Sequence, residues 1–181
     1  MKVWLAGLMV FTLAGCAVNP RSEEMVSNSV VVTNRFDDQV YVAALGGREE
    51  GDTSLKNSSL ISNDNFVEAV VQGIQQHGIY RTAFVNAAPA GTVEGYQLDV
   101  AILDLTQPAR GFDMTVSMTT RWELKRLATG QVIFTEFVDS SYTATVDQAF
   151  AGWKRVRLAT EGAARKNIQE GLQKLSSYEL N

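Results

Sequence analysis

Two side chains occur once each in this sequence, Cys16 and His77. A thiol and an imidazole are common starting points for nucleophilic, acid–base or metal chemistry. His77 lies in Gln76-His77-Gly78, at the end of a helical pattern, where a cation complements the helix dipole. A structural or exposed role is therefore expected for it. One histidine without a Gly-x-Ser-x-Gly elbow is no catalytic triad. His, Cys and carboxylate groups do not recur at metal-ligand spacing. Asp37-Asp38 and Glu49-Glu50-Gly51-Asp52 gather carboxylates without the calcium-loop spacing, so solvated loops are expected. Gly46-Gly47 lacks the following Lys-Ser/Thr of a phosphate loop. The chain reads as a non-enzyme with no metal and no cofactor.

One basic concentration stands out. Lys154, Arg155 and Arg157 lie beside Trp153, with Arg165 and Lys166 further along. Such a group docks anionic lipid headgroups, lipopolysaccharide phosphates or an acidic partner; a solvated helix face has the same composition. Met114, Met118 and Trp122 read as core rather than as a ligand groove. Nucleic acid is excluded as a partner on charge. The chain has 16 Lys and Arg against 20 Asp and Glu, for a net charge of −4.

Cys16 closes a short apolar run. Lys2 supplies a positive start, Val3 to Leu13 is apolar, and Ala14 and Gly15 are small. This is the pattern of a secretion signal, too short for a bilayer-spanning helix of about 20 residues. Leu13-Ala14-Gly15-Cys16 resembles the bacterial lipobox. The resemblance implies a diacylglycerol thioether on Cys16, cleavage before it, and acylation of the new amino group. It also implies outer-membrane sorting, facing the periplasm, because Ala17 stands where Asp would favour inner-membrane retention. The expected organisation is a signal peptide at 1–15, a lipidated cysteine and tether at 16–28, and one periplasmic domain at 29–181. Pro20, Ser22, Glu23 and Glu24 make residues 17–28 polar and tether-like. Once Cys16 is lipidated no cysteine remains for a disulfide, and an apolar content of 45% must supply the core.

Periodicity predicts the elements that follow. Val30-Val31-Val32-Thr33 reads as a buried strand, Asn34 to Gln39 as a turn, and Val40 to Leu45 as a second apolar run. Residues 62–78 form a helix, with Ser62, Asn63 and Asp64 able to cap it and Gly78 ending it. Residues 80–85 are a strand, and 86–95 a loop with Pro89, Gly91 and Gly95. Tyr96, Leu98, Val100 and Ile102 alternate with polar or small residues, whereas Leu103 and Leu105 take the opposite phase, the sign of a bulge or of two-sided burial. Phe112, Met114, Val116, Met118, Trp122 and Leu124 hold the even positions of the clearest strand. Thr129-Gly130 turns the chain into a further strand over 131–143. From Asp147, a candidate cap, to Ser176 the period is helical. Its stripe holds Phe150, Trp153, Val156, Thr160, Ala163, Ala164, Ile168, Leu172 and Leu175, and Glu161 pairs with Arg165. The sum is an α+β two-layer sandwich, a mostly antiparallel sheet of about four to six strands with two amphipathic helices on one face.

The lipobox, the Val-rich segment, Phe66-x3-Val70-x7-Gly78, the meander ending in Thr129-Gly130-x-Val132, and Asn167-Ile168 together resemble small Gram-negative outer-membrane lipoproteins of the YajG-like type. The layout is also similar to the lipoprotein partner of lipopolysaccharide export and to auxiliary lipoproteins of lipid-transport ABC systems. That resemblance implies a lipid-anchored accessory, assembly or binding subunit, engaging another envelope protein through a sheet edge or helix face. The alternative it implies is a lipid or glycolipid carrier. An acyltransferase label fails on chemistry. Hexapeptide repeats are missing, and the fifth residue after His77 is Thr82 rather than Asp.

Overall fold

A computed structural model describes residues 20–45, 61–108 and 111–179. The expected signal peptide, Cys16, and the carboxylate and glycine groups at 46–52 lie outside those residues. The elements in order are α1 (Ser22–Met25), β1 (Phe36–Ala44), α2 (Asn63–His77), β2 (Tyr80–Val85), β3 (Tyr96–Thr106), β4 (Met114–Arg126), β5 (Val132–Ala144) and α3 (Gly152–Ser177). The strands form one sheet in the order β2-β1-β3-β4-β5. With α2 and α3 on one face, this is the expected α+β sandwich.

The pairings divide evenly. β3, β4 and β5 form the predicted antiparallel meander, while β1 runs parallel to both β2 and β3. The parallel β1–β2 pair follows from α2, since a helix between two strands returns the chain to the same end of the sheet. The 86–95 loop then passes β1 to start β3 on its other side. Gly95 makes that passage, with φ +85° and a Cβ position that would fall inside 3.0 Å of Gln39.

The core lies between the sheet and the two helices. β4 buries Met114, Val116, Met118, Thr120, Trp122 and Leu124 and turns the odd positions outward. β3 shows both features that its phase change suggested. Register slips between Ile102 and Asp104, so that Leu105 falls opposite Met118 on the helix side. Below the bulge, Gln97, Asp99 and Ala101 are buried on the opposite face. There the 86–95 loop crosses, its Ala88 N–H donating to Gln97 Oε1 at 2.8 Å. α2 starts as predicted, with the Ser62 hydroxyl accepting from Asn65 N at 3.1 Å, and ends at Gly78 with φ +60°.

Four expectations are corrected. Val30-Val31-Val32-Thr33 pairs with no strand; it runs beside the end of α3, where Thr33 N and Asn34 N donate to the side chain and carbonyl of Ser176. Asp37-Asp38 lie inside β1, not in a loop. α3 begins at Gly152 rather than at Asp147, and Ala151 precedes it without a side-chain cap. The segment expected as a tether packs onto the domain from Pro20 onward. Met25 is fully buried, Ser22 and Ser27 are nearly so, and residues 20–35 form a strap across α2 and α3. A polar sequence hid this strap because its bonds run to residues about 140 positions away.

Candidate interaction surfaces

The basic group does not converge on one surface. Lys154 is exposed, and Trp153 is half-exposed. Arg155 is buried, its guanidinium donating to the carbonyls of Ala149 and Phe150 at 2.7 and 2.6 Å. It closes the 145–151 turn onto the helix. Arg157 faces Glu161 at 3.6 Å, with little exposure on either side chain. Arg165, expected to pair with Glu161, instead donates to the Glu24 carbonyl. Burial holds the Glu161 carboxyl above the ordinary carboxylate range, against the Arg21 N–H and Arg157 that favour its charge. His77, the last residue of α2, holds the strap, its Nε2 lying 2.7 Å from the Ser27 carbonyl oxygen. The Nε2 therefore carries the proton at that contact.

A groove of about 760 Å³ lies between the strap, α2, α3 and Tyr142. Its lining includes Glu23, Asn28, Gln72, Gln76, Lys166 and Gln169. Such a lining suits water and hydrated groups better than acyl chains.

The sheet face away from the helices carries a charged cluster. Lys125 Nζ bridges Asp99 Oδ2 at 2.8 Å and Glu123 Oε1 at 3.1 Å, and Gln97 donates to the other Asp99 oxygen. The hydrogen bond to Asp99 raises the Lys125 pKa against the pull of its own burial. Aromatic side chains flank this cluster. Tyr41 and Phe84 stack at 5.0 Å between centroids on one side, and on the other Phe137, opposite Arg121, is 56% exposed.

β5 is an edge strand, the expected place for strand addition by a partner. Two of its carbonyls are already taken. Lys174 Nζ donates to Phe137 O at 3.1 Å and Lys166 Nζ to Ser141 O at 3.0 Å. Burial pulls the Lys174 pKa down, but Glu136 at 3.1 Å and Glu170 at 3.6 Å together outweigh it and raise it. Lysines set on an edge blunt strand addition. The open face and the β2 edge are the surfaces left available. Sequence pattern missed this because only the three-dimensional placement of α3 puts Lys166 and Lys174 at the β5 edge.

No family model and no curated protein matches the chain. Solved structures do. A Xanthomonas campestris protein of the family labelled DUF330 superposes with a TM-score of 0.61 at 10% identity, covering 84% of this chain and 92% of its own. A hypothetical protein of Chlamydia trachomatis gives 0.56 at 13% identity, covering 78% and 97%. The PelC dodecamer of Paraburkholderia phytofirmans gives 0.50 at 19% identity, covering 83% and 95%. At these identities the likeness is one of fold, over nearly the whole length of each. Chains described as lipoproteins occur among looser matches. Among the described residues no helix is long and apolar enough to cross a membrane.

Proposed function

We propose that this protein is a lipid-anchored lipoprotein of the bacterial envelope, held at the outer membrane through Cys16 and facing the periplasm. It acts without catalysis, as an accessory or assembly subunit that binds another envelope protein. The supporting observation is the sheet face away from the helices, where Tyr41, Phe84 and Phe137 flank the largely buried Asp99–Lys125–Glu123 cluster. Exposed aromatic groups on a rigid sheet with polar groups at their margin are the composition of a protein-binding patch. The YajG-like resemblance rests on sequence pattern and belongs to this proposal. So does assembly into a ring of copies, for which the PelC dodecamer is a precedent of fold only.

Lipid or glycolipid carriage is the second reading. The strap groove has the volume for a ligand, but its glutamines and charges favour a headgroup rather than an acyl chain.

Two measurements test the main reading. Labelled palmitate should enter the wild type and not Cys16→Ser; equal labelling removes the anchor. A photoreactive residue at position 137 should trap one envelope protein in intact cells, while the same residue at Gln72, on the groove side, should not. Equal trapping at both positions, or none at 137, removes the open face.

A further inference from the structure

One end of the domain exposes large aromatic side chains that its core does not use. Phe112 is 86% exposed, just before β4 begins at Met114. Phe150 is 94% exposed and Trp153 49%, at the start of α3. These residues share one end. Met114 pairs with Ala144 at the close of β5, and the Met114 methyl lies 3.8 Å from where a Cβ on Gly152 would sit. Sequence periodicity expected Phe112, Phe150 and Trp153 in the core. Three exposed aromatic residues at one end, with Lys154 exposed beside them among Asp113 and Asp147, form the amphipathic rim that a membrane interface accepts.

The described chain begins at this same end. Pro20 O accepts from Asn65 Nδ2 at 3.1 Å, in the first turn of α2, and Arg21 N donates to Glu161 at 3.3 Å. From there the strap runs away from the aromatic end, towards Ser176. Glu161 lies nine residues into α3, about 14 Å along the axis from Gly152. Three residues lie between Cys16 and Pro20, and four extended Cα-to-Cα steps reach at most about 14 Å. Acyl chains on Cys16 can therefore enter a bilayer at this end, and the far end of α3 is out of their reach.

We infer that the end bearing Phe112, Phe150 and Trp153 rests in the surface of the phospholipid bilayer that holds the Cys16 acyl chains. The inference rests on the lipid-anchor reading above. With so short a leash, the rim fixes orientation. α3 and the sheet then stand with the aromatic end at the membrane and the 127–131 turn away from it. The Tyr41 and Phe137 face becomes lateral, available to a partner in the same membrane.

The test uses the lipidated mature protein in vesicles of phosphatidylethanolamine and phosphatidylglycerol with brominated acyl chains. Trp4 falls in the signal and Trp122 is fully buried, so Trp153 reports the rim. Its emission should shift to the blue and be quenched by the brominated lipid, and Trp153→Phe should remove that signal. Phe112→Ser with Phe150→Ser should weaken the quenching while palmitate labelling and thermal unfolding stay unchanged. Palmitate-labelled protein whose emission is the same in plain and brominated vesicles overturns the rim and leaves the anchor standing. So does crosslinking at position 150 that captures a second copy, or another protein, in place of lipid. Absence of palmitate overturns the anchor and the rim together.

Discussion

Gly171 of α3 lies against the indole of Trp122 of β4, so closely that a Cβ there would fall inside 3.0 Å of three ring atoms. Gly162 meets the Tyr142 ring in the same way. These glycines weaken the helix, and close packing on the sheet is what they return. Gly171→Ala should therefore destabilise by about 1–3 kcal/mol through overpacking, although Ala is the better helix former by about 1 kcal/mol. Gly152→Ala, where the new methyl finds only ordinary contacts at 3.8 Å, should be neutral or stabilising. Urea unfolding of both variants checks the pair, and stabilisation by Gly171→Ala would refute the packing account.

A buried polar chain crosses from sheet to helix at the same place. Trp122 Nε1 donates to Thr120 Oγ1 at 2.9 Å, Thr120 donates to Asn167 Oδ1 at 2.6 Å, and Asn167 donates to Val138 O at 2.9 Å. Every group in the chain is satisfied, which fixes the register of α3 on β4 and β5. Asn167→Ala should cost about 1–3 kcal/mol by orphaning buried partners. A double-mutant cycle with Thr120→Val should show coupling of about 0.5 kcal/mol or more. Additive losses would mean that the two side chains act separately.

Burial raises the Glu161 carboxyl above its ordinary value, so the folded state binds that proton more tightly than the unfolded chain. Stability from this group is present at acid pH. It is lost as pH rises from the ordinary carboxylate value through the raised one. Glu161→Gln, which still accepts from the Arg21 N–H, should match the wild type near pH 4 and gain on it towards pH 7. Melting temperatures across that range test the sign; a gap that narrows with rising pH would reverse it.

Met25 is fully buried although it lies in the segment expected to be a tether. Met25→Ala should cost about 2–5 kcal/mol, the range for emptying a core site. A free tether would cost nothing. Chemical denaturation of the domain beginning at Pro20 distinguishes the two.

The sequence by itself determined what depends on neighbours along the chain. Alternation over 114–124 placed the buried face of β4. Ser62 and Gly78 bounded α2, and the phase change at Leu103 pointed to a bulge or two-sided burial before any partner strand was known. The motif at Cys16 is also local, and it lies outside the described residues. What the tertiary structure decided depends on distant partners. Only the placement of β1 between β2 and β3 makes two pairings parallel. Only the strap gives Met25 a core and Arg165 the Glu24 carbonyl. Phe150 and Trp153 continue a helical stripe in sequence, yet α3 starts at Gly152, at the rim of the sheet, and leaves them in the open. Periodicity tells which side of an element is apolar; whether anything lies opposite that side is fixed by where the other elements end.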